Sequence, residues 1–228
     1  MRKNMKEKTI LYGNGLYARI VHQNILEEGG LEIVACTANR EFVREKTFRG
    51  LPLVAFEDVE KIYPPGEFSM LITIGFWRMR NREMMFQKAK AKGYRLENYI
   101  SARAIVPRDL IKGENNIISE GVVLGPFVRL GDHNMIRPNT SLSHDCTIHS
   151  HCYIAPGCNM GGECEIKDLS FVGIGSTLVD SLILERETLI GAGSLVLKNT
   201  EAFSKYVGSP ARKAGEHAAT GIVFKRRD

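Results

Sequence analysis

From Ile118 to Val196 an aliphatic side chain stands at every sixth position: Ile118, Leu124, Leu130, Ile136, Leu142, Ile148, Ile154, Met160, Ile166, Val172, Leu178, Leu184, Ile190 and Val196. A period of six suits neither the 3.6-residue turn of an α-helix nor the strict alternation of a flat strand. It suits a parallel β-helix, in which each hexapeptide makes one flat wall and three walls complete a coil. The aliphatic residue then fills the prism. Four positions further on, a small or β-branched residue recurs at Val122, Val128, Thr140, Cys146, Cys152, Cys158, Cys164, Ser170, Ser176, Thr188 and Ser194, which predicts a second inward column. Glycine or alanine often follows the aliphatic residue, as at Gly125, Gly131, Ala155, Gly161, Gly173 and Gly191. No insertion interrupts the register, so function has to reside on turns and faces.

Within the repeat, the stretch HDCTIHSHCYIAPGCNMGGEC, residues 144–164, holds three histidines and four cysteines and invites a metal reading. Zinc motifs bring ligands together in pairs such as C-x2-C or H-x3-H, whereas these cysteines are each separated by five residues. The spacing belongs to the repeat, and the thiols are expected inside it as compact packing groups, with no metal. Cys146 and Cys164, eighteen residues apart, are expected to stack in adjacent coils. With no export signal in the sequence, the five cysteines are expected to be reduced and the protein cytoplasmic.

The first hundred residues read differently. TILYGNG is a strand running into a turn, LYARIVHQNILEEGG a helix, LEIVACT a strand, FEDVEKI a short helix, FSMLITIG a strand and NREMMFQKAKAKG a helix. Alternation of this kind predicts a small α/β domain with a parallel sheet. Gly13-Asn14-Gly15 joins the first strand directly to a helix, where backbone N–H groups can receive a phosphate or a nucleotide. The third glycine of the dinucleotide fingerprint is absent, its place taken by Ala18. Three regions are therefore expected: an α/β domain over 1–100, a β-helix over 101–214 and a tail over 215–228.

The net charge of +5 comes partly from MRKNMKEK and FKRRD, read as solvated ends. Such a modest excess argues against nucleic acid as partner and is compatible with an anionic small molecule. No apolar run is long enough to span a membrane.

The small nucleotide-binding-like domain followed by hexapeptides, with HDC inside the repeat and YVGSPARK after it, resembles the bacterial sugar acyltransferases typified by PglD and NeuD. The resemblance is loose over the first domain and close from Tyr99 to Lys213. It implies a left-handed parallel β-helix after a Rossmann-like α/β domain. It also implies a homotrimer, and transfer of an acetyl group from acetyl-CoA to a nucleotide-linked amino sugar or to a hydroxyl of sialic acid. His144 matches the family's catalytic histidine, Asp145 the acidic residue that orients it, and Gly162 the glycine whose N–H supports the oxyanion. The imidazole suits the role chemically, because an amine or hydroxyl that attacks a thioester must lose a proton near neutral pH. Gly162, eighteen residues after His144, is expected one coil further along the same edge. Gly208, Pro210 and Arg212 match the motif bordering the CoA site, while Gly173, Gly191 and Ala192 lie where the family runs the cofactor arm.

Two departures stand out. The family's second histidine, thought to meet the cofactor, is replaced by Tyr153. The acidic pair expected after the second strand is replaced by Ala38 and Asn39, so the nucleotide contacts are unreadable. Phe76 and Trp77 in GFWRMRNRE could stack on a base or pack in the core. The sequence-based expectation is an N-acetyltransferase acting on a nucleotide-linked amino sugar, with a 4-amino-4,6-dideoxyhexose for surface glycan such as lipopolysaccharide or O-antigen as the chosen case. A sugar O-acetyltransferase and a noncatalytic β-helix scaffold are the alternatives.

Overall fold

A computed structural model of the protein describes residues 7–225, so that most of the charged MRKNMKEK segment and the last three residues of FKRRD lie outside the described residues. The chain divides into two compact units. One comprises the residues up to Gly75 together with Met84–Tyr99; the other comprises Phe76–Glu83 and everything from Ile100 onward. The expected single cut near residue 100 is thus interrupted by one short segment.

The first unit is built on a five-stranded sheet ordered β3-β4-β2-β1-β5. Its strands are β1 (Lys8–Tyr12), β2 (Glu32–Ala38), β3 (Thr47–Phe48), β4 (Leu51–Ala55) and β5 (Ser69–Ile72). β1 pairs in parallel with β2 and β5 on its two sides. That central place explains its continuous apolar run, since a parallel strand is covered on both faces. Helix α1 (Leu16–Glu28) buries Ala18, Val21, His22 and Ile25, one stripe at helical spacing. Ile10, Tyr12, Phe56, Met70, Ile72 and Phe86 belong to one apolar core. The β3–β4 hairpin is absent from the sequence reading; Arg49 and Gly50 turn it with φ of 51° and 81°, and β4 then adds to β2 in parallel. Helix α2 (Val59–Ile62) is shorter than FEDVEKI suggested, and α3 (Met79–Ala91) begins two residues earlier than expected.

The second unit is the expected left-handed parallel β-helix. Two-residue strands stack in three sheets, each strand pairing with the one eighteen residues later, as Leu142 with Met160 and Ile154 with Val172. All fourteen periodic aliphatic residues are at most 4% exposed and point inward. The four repeat cysteines are buried and unbridged. Their thiols act as more than apolar fillers: Cys146, Cys152, Cys158 and Cys164 reach the carbonyls of Gly161, Lys167, Gly173 and Val179 at 3.1–3.2 Å. Thr140, Ser170 and Ser176 make the same bond from the same column. From Thr140 to Ser176 these seven members of the column each satisfy a carbonyl, which the aliphatic members Val122 and Val128 cannot do.

Every corner from Gly121 to Gly193 carries a residue with φ between 52° and 70°. Four of these are glycines; the others include Asn139, Asp145 and His151. A left-handed residue with a side chain costs roughly 1–2 kcal/mol, and the regular stacking on either side over-determines it.

One wall of the coil is covered by the protein's own chain. Phe76 lies 4.8 Å from Tyr153, 5.3 Å from Phe171 and 5.0 Å from Phe224, centroid to centroid. Backbone bonds join Met79 to Ile222 and Phe224 to Trp77, so the tail is ordered against this segment through Phe224. Arg80 holds the buried Glu187 carboxylate through both oxygens. Arg82, wholly buried, donates to the carbonyls of His133 and His151.

Candidate active site

The corner that follows Leu142 places Ser143, His144 and Asp145 on an outer edge of the coil. The imidazole Nδ1 lies 2.9 Å from Asp145 Oδ2, and both side chains are about half exposed. A carboxylate only accepts, so this contact puts the proton on Nδ1 and leaves the Nε2 lone pair for a substrate. Asp145 sits at φ 57°, a conformation that aspartate tolerates better than most residues and that turns its carboxylate back onto the ring.

Gly162 lies one coil on, as the count of eighteen predicts. Its lack of a side chain is used: a Cβ built there would stand 2.5 Å from His144 Cε1 and 2.6 Å from Nε2. The ring thus rests on the glycine Cα. The expected oxyanion role is not what the backbone presents, because the Gly162 N–H donates to Asp180 Oδ1 at 2.8 Å. Asp180, one further coil along the same edge, was not singled out in the sequence. The count that found Gly162 would have reached it if carried one step further.

The cofactor candidates divide. Tyr153 is 2% exposed, its ring stacked on Phe171 at 5.4 Å and flanked by Phe76, so it is a packing residue and not an open contact. Gly173 is explained by the coil itself, since a Cβ there would meet Ala192 N and Gly191 C at 2.6–2.7 Å. At Gly191 the obstacle is Val207 Cγ1 at 2.7 Å. Neither glycine is a cradle kept open for a ligand. Ala192 is exposed on the next corner. Gly208, at φ 100°, bonds through its carbonyl to Leu195 N, and a cis peptide joins Ser209 to Pro210. Arg212 is exposed and suited to meet an anion.

In the first unit, Gly13 has φ 127°, and a Cβ there would stand 2.7 Å from Thr73 Oγ1, so glycine is required on both counts. Gly15 is the residue preceding α1 and is exposed. Asn14 ties the turn to the Phe42 carbonyl at 2.8 Å. Where an acidic pair was expected, Ala38 is buried and Asn39 Oδ1 accepts the Tyr12 hydroxyl at 2.6 Å. Burial, with Glu57 nearby, raises the Tyr12 pKa and keeps that phenol protonated. Of the two aromatic candidates, Phe76 is taken up in the layer with Tyr153, Phe171 and Phe224, while Trp77 stacks on Phe76 and remains 40% exposed. Among the described residues no group of three or more His, Cys, Asp or Glu side chains is placed to hold a metal, and no helix is long and apolar enough to cross a membrane.

Residues 127–162 match the family model described as Bacterial transferase hexapeptide (six repeats). No curated protein sequence matches the chain significantly. Among solved structures, the chain is similar to PerB from Caulobacter crescentus in complex with CoA and GDP-perosamine, with 22% identity, TM-score 0.82, and coverage of 91% of this chain and 97% of that one. The acetyltransferase domain of PglB from Neisseria gonorrhoeae in complex with acetyl coenzyme A gives 20% identity and TM-score 0.83, over 92% and 100% of the two chains. WeeI from Acinetobacter baumannii gives 20% identity and TM-score 0.79 over the same shares. At these identities the likeness is one of fold.

Proposed function

We propose that this protein is a homotrimeric, cytoplasmic N-acetyltransferase that moves an acetyl group from acetyl-CoA to a nucleotide-linked amino sugar. The chosen acceptor is a 4-amino-4,6-dideoxyhexose destined for surface glycan. The observation that carries the reading is the His144–Asp145 pair on an exposed edge of the β-helix, with Nδ1 committed to the carboxylate and Nε2 left for the acceptor. It is supported by fold likeness to proteins solved with CoA, acetyl coenzyme A and GDP-perosamine.

In this reading the acceptor amine donates its proton to His144 Nε2 as its nitrogen attacks the thioester carbon. The C–N bond forms, the C–S bond breaks, and the departing CoA thiolate takes the proton back from the imidazolium. Asp145 stabilises that imidazolium while it exists. Arg212 is the residue offered to the phosphates of the donor, and the Gly13-Asn14-Gly15 turn is offered to the nucleotide of the acceptor.

Thiol release from acetyl-CoA, measured against a panel of UDP-, dTDP- and GDP-linked amino sugars, tests the assignment. Release with one of them, abolished in His144→Ala, is the expected result. Release only with sialic acid or another hydroxyl acceptor would replace N- by O-transfer, and silence with every acceptor would favour a scaffold.

A further inference from the structure

Two consecutive glycines, Gly161 and Gly162, lie on the coil between that of His144 and that of Asp180. The imidazole fills the space where a Gly162 side chain would be. Asp180 fills the space beside Gly161, where a Cβ would come within 2.6 Å of Asp180 N and 2.7 Å of Oδ1. The peptide that joins the two glycines has both polar atoms tied by side chains: its carbonyl accepts from Cys146 Sγ at 3.2 Å and its N–H donates to Asp180 at 2.8 Å. The neighbouring groups are held by backbone, with Glu163 N on His144 O and Ser181 N on Gly162 O. The orientation of the surface under the imidazole is thus set by two side chains on a glycine pair that would otherwise turn easily.

Resting on the assignment of His144 as the base, we infer that Asp180 is a positioning residue for it, acting through the Gly161–Gly162 peptide. What matters is an oxygen acceptor at this place, since the Gly162 N–H needs a partner and lies 2.8 Å from one. The same contact explains why that N–H is not directed at the space beside the imidazole. An equivalent rung exists elsewhere: Asp132 Oδ1 accepts the Glu114 N–H at 2.7 Å, and a Cβ at Gly113 would meet the same carboxylate. The His144 imidazole rests on Gly162 and not on that rung, which makes Asp132→Ala the control.

The test compares Asp180→Ala, Asp180→Asn, Asp132→Ala and His144→Ala. The readouts are the imidazole ¹⁵N signals, with those of His144 identified by their loss in His144→Ala, and turnover with the amino sugar that the panel selects. Asp180→Ala is expected to reduce the Nδ1–H tautomer signal of His144 and to lower kcat about tenfold, with both KM values within twofold. Asp180→Asn, which keeps the oxygen, is expected to restore kcat to within threefold, and Asp132→Ala to leave both readouts unchanged. Unaltered His144 signals and kcat in Asp180→Ala would overturn the inference, as would an equal loss in Asp132→Ala or failure of the asparagine to rescue. Full turnover in His144→Ala would instead refute the base assignment, whatever Asp180 does.

Discussion

Gly162→Ala is the sharpest single perturbation of this site. The glycine's φ lies outside the left-handed region, so alanine meets no backbone strain, and the whole effect falls on one contact. The new Cβ would stand 2.5 Å from His144 Cε1, whereas ordinary van der Waals contact begins near 3.5 Å. The ring must therefore retreat by about 1 Å. It is anchored at Nδ1 by a 2.9 Å bond to Asp145, and a shift of that size stretches or breaks the bond and moves Nε2 off its line. A misplacement of about 1 Å at a reacting group costs on the order of 100-fold, so kcat should fall by that factor. Because His144 is about half exposed, the ring can move into solvent and the melting temperature should change by no more than a degree or two. Steady-state kinetics on Gly162→Ala, His144→Ala and the double variant provide the assay. Since the alanine acts only through the imidazole, the double variant should be no slower than His144→Ala alone. A Gly162→Ala protein retaining a third or more of wild-type kcat, or a double variant clearly slower than His144→Ala, would refute the steric account.

Other expectations follow from the same geometry. His144→Asn should lower turnover by about 100-fold or more while leaving the assembly intact by sedimentation. Burial pushes the thiols of Cys152 and Cys158 up to about 12 and about 11, so thiolate is scarce at pH 8; both should resist Ellman's reagent in the native protein and react in denaturant. His151 is held down to about 4, first by burial and then by the Arg82 charge, below its unfolded value of 6.5. The unfolded state therefore binds the proton first, and stability should fall as pH drops from about 6.5 toward 4, by about 1.4 kcal/mol per pH unit for this group; denaturant titrations followed by Trp77 fluorescence should show that slope reduced in His151→Asn. Arg82→Ala should destabilise the protein by about 3 kcal/mol or more, because it empties a buried site and leaves the His133 and His151 carbonyls without this donor.

The β-helix was legible because its inward columns are dictated by packing, and packing writes a period into residue type. The edge position of the His144–Asp145 pair was legible for a related reason: a known register turns a position in the sequence into a place on an edge, whereas the role proposed for the pair came from the family resemblance. The corners were harder to read, since their shared φ is met by glycine, aspartate, histidine and leucine alike. Tyr153, noted only as standing where the family has a second histidine, could not be read as a packing residue, because the Phe76 that covers it comes from residues far earlier in the sequence. The hydrogen bond from Gly162 to Asp180 escaped notice because a glycine declares a missing side chain but not the direction of its N–H. In the first domain, the β3–β4 hairpin was missed because two strands this short carry too few residues to show a period.

The unbroken register of the coil limits how this half of the protein can change. Deleting one residue between Ile118 and Val196 would send every later aliphatic residue off the inner wall. Deleting a whole hexapeptide between His144 and Asp180 would keep the core filled but rotate everything downstream by a third of a turn, carrying Asp180 to a different edge. An eighteen-residue insertion between Gly162 and Asp180 would preserve the edge and only lengthen the prism, moving Asp180 one storey further from Gly162. Length can thus vary freely below His144 or above Asp180 in whole coils, whereas the two coils between them are fixed in number.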